Sequence, residues 1–321
     1  MRYYSIIIPV YNRPEEIDEL LASLTRQSFS NFEVLVIDDG SENPCKHIAE
    51  KYSAHLKIRY YFKENSGQGF SRNYGCEKAA GDYFVIFDSD CIIPPHYLEV
   101  VHNETIAQQF DAYGGPDKAH PEFNWIQKAI SYSMTSLITT GGIRGKKKVV
   151  GRFHPRSFNM GYSREVFEKT GGFNITRMGE DILLSIRILE AGFKLGLIPE
   201  AYVYHKRRTN FRQFYRQLHF FGRARVNIQR FFPEELKLVH LFPAAFLTGF
   251  VFTLLCWWIV PQLAVPLSIL FAIYFLMILV DSSLRNRNLW IGILSVVAVM
   301  VQFTGYGIGF ITEGWRRIRK G

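Results

Sequence analysis

Apolar and polar positions alternate in two rhythms over the first ninety residues. Tyr3–Ile8 is a short β-branched run ending at Pro9, as a buried strand would, and Phe32–Ile37 is a second that stops at Asp38-Asp39-Gly40-Ser41. Between them Ile17, Leu20, Leu21 and Leu24 recur at helical spacing from Pro14 to Gln27, with Pro and acids in the first turn. The pattern then predicts a helix through about Lys51, a strand near 57–62, a helix near 71–79 and a strand at Tyr83–Phe87. Such alternation builds an α/β domain, a mostly parallel sheet with helices on both faces. Ligands on these sheets sit beyond the carboxyl ends of the strands. Three polar clusters, Pro9–Asn12, Asp38–Ser41 and Asp88–Asp90, fall at those ends.

Residues 111–160 are less regular, and Gly141-Gly142, Gly145 and Lys146–Lys148 read as a mobile loop. A helix is expected over about Glu180–Gly192. From Ala201 to Phe232 there are eight basic residues and no acid. Phe211, Phe214, Tyr215, Leu218 and Phe221 keep helical spacing there, with Arg212 and Arg216 on another face. A basic amphipathic helix ahead of a membrane segment is expected to lie in the interface, against anionic headgroups.

Leu241–Val280 is forty residues without a charge, with Pro261 and Pro266 near its middle. A bilayer core takes roughly 20 apolar residues per helix, so two spans are expected, about 241–260 and 262–281, joined by a tight external turn. The linker Asp281–Asn288 returns Arg285 and Arg287 to the inside, in keeping with the positive-inside rule. A third hydrophobic segment, 289–311, conflicts with that rule if it spans, because Arg316, Arg317, Arg319 and Lys320 would then lie outside. The alternative is that Gly305–Gly309 bends it back. The expected organisation is a domain at 1–205, interfacial helices at 206–240 and a membrane domain at 241–321.

Composition sharpens this division. The chain has 38 Lys+Arg and 29 Asp+Glu, a formal net charge of +9. Residues 236–321 carry seven Lys+Arg and two acids, so +5 of that charge belongs to the membrane end. The uncharged runs exclude a wholly soluble globule, and the ordinary apolar blocks of the first 235 residues exclude a disordered or fibrous chain. Basic charge beside apolar helices points to membrane lipids rather than to nucleic acid. Cys45, Cys76, Cys91 and Cys256 have no paired spacing and support neither a disulfide framework nor a zinc site. Met-Arg-Tyr-Tyr runs straight into a strand pattern, where a signal peptide needs a longer apolar stretch; the front domain is expected in the cytosol, on the inner face of the cell membrane.

Asp88-Ser89-Asp90 follows an apolar strand. Carboxylates two apart at a strand's end can hold a hard divalent cation, which neutralises phosphate oxygens. A D-x-D alone is also a common surface turn, and Asp38-Asp39-Gly40-Ser41 alone is a favourable turn; their shared position at one sheet edge favours a site. Gly67-Gln68-Gly69-Phe70-Ser71-Arg72 lacks the third glycine of a dinucleotide fingerprint and follows the third strand, so that reading fails. Gly141–Lys148 fails as a Walker A loop on spacing. Gly179-Glu180-Asp181 opens a helix, where acids are also ordinary partners of the macrodipole.

In order and spacing these pieces resemble the family 2 inverting nucleotide-sugar glycosyltransferases of GT-A fold. The matching segments are Ile-Ile-Pro-Val-Tyr-Asn at 7–12, Val-Ile-Asp-Asp-Gly-Ser at 36–41, Asn65-x-Gly67 through Ser-Arg-Asn at 71–73, Asp-Ser-Asp at 88–90, Gly-Gly-Phe at 171–173 and Gly-Glu-Asp at 179–181. The tail, with Gln217, Gly222-Arg223 and Tyr-Gly-x-Gly-Phe at 306–310, looks like the membrane-attached branch that builds exopolysaccharides or glycolipids. The resemblance implies that Pro9, Tyr11, Asn12, Asp39 and Arg72 line the nucleoside-sugar pocket, with Asp39 on the base or ribose. It implies that Asp88 and Asp90 place Mg²⁺ or Mn²⁺ on the diphosphate, with Asp88 also touching the donor, and that His205 makes a metal or phosphate contact. Asp181 would be the general base for the acceptor hydroxyl, with Glu180 beside it on the acceptor side. Arg216, Arg223 and Arg225 are expected on a pyrophosphate or lipid phosphate, with plain headgroup binding as the alternative. Gln213-Phe214-Tyr215-Arg216 resembles the Q-x-x-R-W motif of processive synthases, but Gln217 stands where Trp belongs.

The function these residues imply is metal-dependent, inverting transfer of one sugar from a nucleotide-diphospho-sugar to a lipid-linked acceptor at the cytoplasmic membrane face, for polysaccharide or glycolipid synthesis. Two alternatives stand beside it. Transfer to polyprenyl phosphate would give a phosphosugar, which the long 91–180 stretch disfavours. A non-enzymatic sugar-binding membrane scaffold would have no need of Asp39, Asp88, Asp90 and Asp181 together.

Overall fold

The computed structural model describes residues 2–118, 120, 122–140, 153–176, 179–229 and 232–319. The chain divides into two compact units, one of residues 1–120 and 147–206, the other of residues 121–146 and 207–321. The loop expected at 141–148 lies outside the described residues.

The first unit is built on β1 (Tyr4–Val10), α1 (Pro14–Leu24), β2 (Phe32–Asp38), α2 (Lys46–Lys51), β3 (Ile58–Phe62), α3 (Gln68–Lys78) and β4 (Tyr83–Phe87). It continues with β5 (Cys91–Ile92), α4 (Tyr97–Ala107), β6 (Ala112–Gly114) and β7 (Asp117–Lys118). After α5 (Trp125–Thr135) and α6 (Leu137–Thr140) of the other unit come β8 (Asn159–Ser163), α7 (Arg164–Thr170), α8 (Glu180–Glu190), β9 (Leu195–Leu197) and β10 (Val203–His205). A seven-stranded sheet runs β3-β2-β1-β4-β8-β6-β9, with β8 the strand that opposes both its neighbours. The expected GT-A-like, mostly parallel α/β sheet is what forms. Alternate residues of each strand serve opposite faces. Ile6, Ile8, Val34 and Val36 pack with Ile17, Leu20 and Leu21 of α1 and with Leu98 and Val101 of α4. Ile7, Leu35 and Ile37 pack on the other side with Cys76 of α3 and Leu184 and Ile188 of α8.

Strand β1 does not end at Pro9. It pairs with β2 through Val10↔Asp38, whereas its pairing with β4 ends at Ile7↔Ile86. Pro9 lies past the last β4 pair, so its missing N–H breaks no bond to that strand. A second sheet, β5-β10-β7, sets His205 opposite Cys91.

The second unit joins α5 and α6 to α9 (Phe211–Ile228), α10 (Phe242–Ile259), α11 (Pro261–Asn286) and α12 (Leu289–Ile318). Helix α5 is begun by a capping box between Asn124 and Gln127, a signal present in the sequence that the irregular look of 111–160 concealed. By length and composition α10, α11 and α12 could each cross a membrane. The linker expected at 281–288 is much shorter, because α11 continues to Asn286 and ends on Arg287 in the left-handed region at φ 50°. Nor does Gly305–Gly309 bend the last segment: α12 is one continuous helix. Those glycines are crossing points instead. A Cβ at Gly305 would meet the Tyr215 carbonyl at 2.9 Å, one at Gly309 the His219 carbonyl at 2.1 Å, and one at Gly222 the Tyr306 carbonyl at 2.2 Å. The apolar face of α9, with Phe214 and Leu218, is thus spent on protein neighbours.

Candidate active site

The loops after β1 and β2 are stitched together. Asn12 sits in the left-handed region at φ 52°; its N–H donates to Ser41 Oγ and its Oδ1 accepts from the Glu42 N–H, both at 2.9 Å. Tyr11 beside it is 48% exposed, while Pro9 is buried. Asp38 is fully buried and accepts from Ser41 N–H at 2.9 Å, Cys45 N–H at 3.1 Å and the Tyr60 hydroxyl at 2.7 Å. Burial alone would raise its pKa, but the bonds from Ser41, Tyr60 and Cys45 outweigh it and hold the carboxyl below its ordinary value. Asp38 therefore fixes the turn.

Asp39, expected on a base or ribose, is largely engaged by the loop between β3 and α3. Oδ1 takes Lys63 Nζ at 2.5 Å and the Ser66 N–H at 3.0 Å, and Oδ2 takes the Gly67 N–H at 2.8 Å. Burial pushes its pKa up, and Lys63, Ser66, Ser71 and Gly67 bring it below the usual value.

Arg72, expected in the nucleoside pocket, is 0% exposed. Its Nη2 donates to Asp88 Oδ1 at 2.6 Å, and its Nη1 lies 3.6 Å from Glu180 Oε1. The guanidinium carbon sits 5.2 Å from the Phe173 ring centroid. Next along α3, Asn73 Nδ2 donates to the Phe173 carbonyl at 2.9 Å and Oδ1 accepts the Phe173 N–H at 2.8 Å. Gly172, at φ 66°, leaves room for this clamp: a Cβ there would stand 2.3 Å from Asn73 Oδ1. The Ser-Arg-Asn and Gly-Gly-Phe segments are thus two halves of one contact. One buried arginine spans from the end of β4 to the start of α8.

Glu180 and Asp181 are 7% and 8% exposed. Burial, and then the charge of Asp181, raise the Glu180 pKa, against the opposing pull of Arg72 and Gln68. Asp181 Oδ2 accepts from Arg156 Nη1 at 3.4 Å.

At the end of β4, Asp90 Oδ2 accepts from Arg13 Nη1 at 2.6 Å. Its Oδ1 is buried without a hydrogen bond among the described residues and faces His205 Nε2 at 3.1 Å. The His205 ring stacks on Phe158 at 4.4 Å and 5°. Burial opposes ionisation of Asp90, but His205 and Arg13 prevail and hold its pKa far below the usual range. In the order β3-β2-β1-β4 the chain reverses direction of travel between β1 and β4. Arg13 and Asp90 join at that switch point, where ligands of open α/β sheets bind.

The glycosyl transferase family 2 sequence pattern matches residues 5–171, just over half of the chain. The chain belongs to glycosyl transferase family 2. Glycosyltransferase AglE of Haloferax volcanii is 26% identical over 254 residues, 78% of this chain and 81% of AglE. The putative glycosyltransferase EpsH of Bacillus subtilis is 36% identical over 96 residues, which span only 28% of its length. Among solved structures, the mannosyltransferase PcManGT of Pyrobaculum calidifontis, in complex with GDP-Man and Mn²⁺, aligns with a TM-score of 0.67 at 16% identity, covering 98% of this chain and 88% of that one. At that identity the likeness speaks for the fold.

In this family 2 glycosyltransferase two of the three expected cation ligands, Asp90 and His205, stand close together. Ligand atoms of Asp90, Cys91 and His205 lie within 4.8 Å of one another. Two ligands of one octahedral ion at about 2.1 Å stand roughly 3 Å apart, the spacing of Asp90 Oδ1 and His205 Nε2. Burial, then Asp90 and Asp88, raise the Cys91 thiol well above its ordinary pKa, and its Sγ lies 3.6 Å from the Phe158 carbonyl, so it is a protonated donor. Asp88 is turned to Arg72. Of the arginines expected on phosphate, Arg223 Nε is engaged by Glu313 at 2.7 Å, Arg216 is exposed on α9, and Arg225 is half-buried on the same helix. Arg13 was missed: it follows Asn12 in sequence, but only the neighbouring β1 and β4 bring it to Asp90.

Proposed function

We propose that this glycosyltransferase moves a sugar, with inversion, from a nucleotide-diphospho-sugar to a lipid-linked acceptor at the cytoplasmic face of the membrane, in polysaccharide or glycolipid synthesis. One observation carries the reading: buried Arg72 joins Asp88, just after β4, to Glu180 at the start of α8, while Asp90, two residues beyond Asp88, faces His205. A fold relative that holds GDP-Man with Mn²⁺ supports the donor class and the metal. Three apolar helices support membrane attachment and a lipid-linked acceptor.

Asp90 and His205 would hold Mg²⁺ or Mn²⁺, whose charge would stabilise the departing diphosphate. Arg13 keeps Asp90 ionised and aimed, and Asp39 and Tyr11 bound the nucleoside side. Asp181 takes the proton of the acceptor hydroxyl as that oxygen bonds to the anomeric carbon. The bond from that carbon to the diphosphate breaks on the opposite side, giving the inverted glycoside and a nucleoside diphosphate. Arg156 positions Asp181, and Glu180 holds Arg72.

The test is a thermal-shift screen of the detergent-solubilised chain against UDP-, GDP- and TDP-sugars with Mn²⁺, followed by transfer to a lipid extract. A ligand of the native state raises its apparent stability. A shift with one nucleotide class and label recovered in the lipid phase are expected. Absence of a shift with every donor, in protein that is folded, overturns the reading.

A further inference from the structure

Helix α12 exposes apolar residues along one side at both of its ends and packs on protein along the other. Trp290, Ile293, Val297, Ile311, Trp315 and Ile318 are all exposed, and at 3.6 residues per turn they share an arc of about 80°. The opposite face is covered as far as Gly309. Ala129, Ile130 and Met134 of α5 pack with Ile291 and Ala298, Ser282 of α11 bonds Ser295 at 2.7 Å, and the C-terminal half lies on α9.

That last contact sets the orientation. Tyr215 abuts Gly305, His219 abuts Gly309, Arg223 pairs with Glu313 at 2.7 Å, and Arg317 bonds Gln229 at 3.0 Å, so α9 and α12 run parallel and side by side. A hydrocarbon core of about 30 Å entered upright at Leu289 would continue to roughly residue 309 at 1.5 Å per residue. The start of α9, with exposed Arg212 and Arg216, would then sit inside it. Charged groups there are costly and need partners or water. The first two turns of α10 meet α12, Phe242 and Phe246 on Phe303, and Pro243 and Leu247 at Gly307.

We infer that α12 does not cross the membrane but lies along its interface, exposed apolar side toward the acyl chains, so that α10 and α11 alone span and the basic C-terminus shares the side of α9. The occupant of that apolar side is the lipid bilayer. Arg285 and Arg287 at the end of α11 and Arg316, Arg317 and Arg319 at the end of α12 then lie on one side, which removes the conflict with the positive-inside rule. The inference rests on the membrane attachment proposed above and is independent of the transfer reaction.

The four native cysteines are buried, so single cysteines introduced into the full chain report alone. In sealed vesicles of one orientation, a membrane-impermeant maleimide should modify Arg285→Cys and Arg319→Cys from one side and Gln262→Cys from the other. Nitroxides at Ile293→Cys, Val297→Cys, Thr304→Cys and Ile311→Cys should all report a similar shallow depth. Modification of Arg319→Cys from the side of Gln262→Cys, or depths that pass through the bilayer centre along α12, overturns the inference. Recovery of the chain free of vesicles would instead defeat membrane attachment itself.

Discussion

Arg13 and Asp90 meet at 2.6 Å across the point where the sheet order reverses, one from the loop after β1 and one from the loop after β4. The pair leaves Asp90 Oδ1 turned to His205, the arrangement a divalent cation would use.

Asp90→Ala should weaken Mn²⁺ binding at least about tenfold, the scale on which ligand-shell changes act, read by titrating free Mn²⁺ by electron paramagnetic resonance. Nucleoside-diphosphate affinity should fall more in Mn²⁺ than in EDTA. Arg13→Ala, which leaves both ligand atoms in place, should fall between wild type and Asp90→Ala. Equal nucleotide affinity for all three proteins in both buffers removes the metal from the mechanism.

Removing Arg72 leaves two carboxylates, Asp88 and Glu180, without their shared buried partner. Breaking a buried pair in this way costs about 3–5 kcal/mol. Arg72→Met is expected to lower the urea midpoint accordingly, and Arg72→Met with Glu180→Gln to recover part of the loss. Simple additivity of the two changes would mean that the pair is not coupled.

A general base contributes about 10²- to 10⁴-fold to rate. Asp181→Asn should therefore lose transfer by at least about 10²-fold, roughly 2.7 kcal/mol in the barrier, with nucleoside-diphosphate affinity little changed. Glu180→Gln is the control. Normal turnover by Asp181→Asn with a dead Glu180→Gln shifts the base by one residue, and activity in both returns the pair to a helix-start role.

Two glycines of α12 should respond with opposite signs. A Cβ at Gly309 would meet the His219 carbonyl at 2.1 Å, whereas Gly314 has nothing within 4 Å. Gly314→Ala is expected to stabilise by up to about 1 kcal/mol through helix propensity, and Gly309→Ala to destabilise by separating α9 from α12. Thermal denaturation in detergent distinguishes them; matching shifts would show that the glycine crossing is not tight.

The parallel sheet was legible because each buried strand is a continuous apolar run that stops at a polar cluster, and both signals are local. Asp88 and Asp90 stood out for the same reason, whereas Glu180-Asp181, at a helix start, stood out only through the family resemblance. The partners of these groups did not, because they depend on neighbours far apart in the chain: Arg13 reaches Asp90 over 77 positions, and Asn73 clamps Phe173 over 100. Hydrophobic pattern likewise determined that the tail is apolar and helical. It could not say that Gly305, Gly307 and Gly309 are crossing points rather than a bend, since a glycine reads the same whether it frees the backbone or admits a second helix. Only the packed structure decides between those, through the atom that stands where the side chain would be.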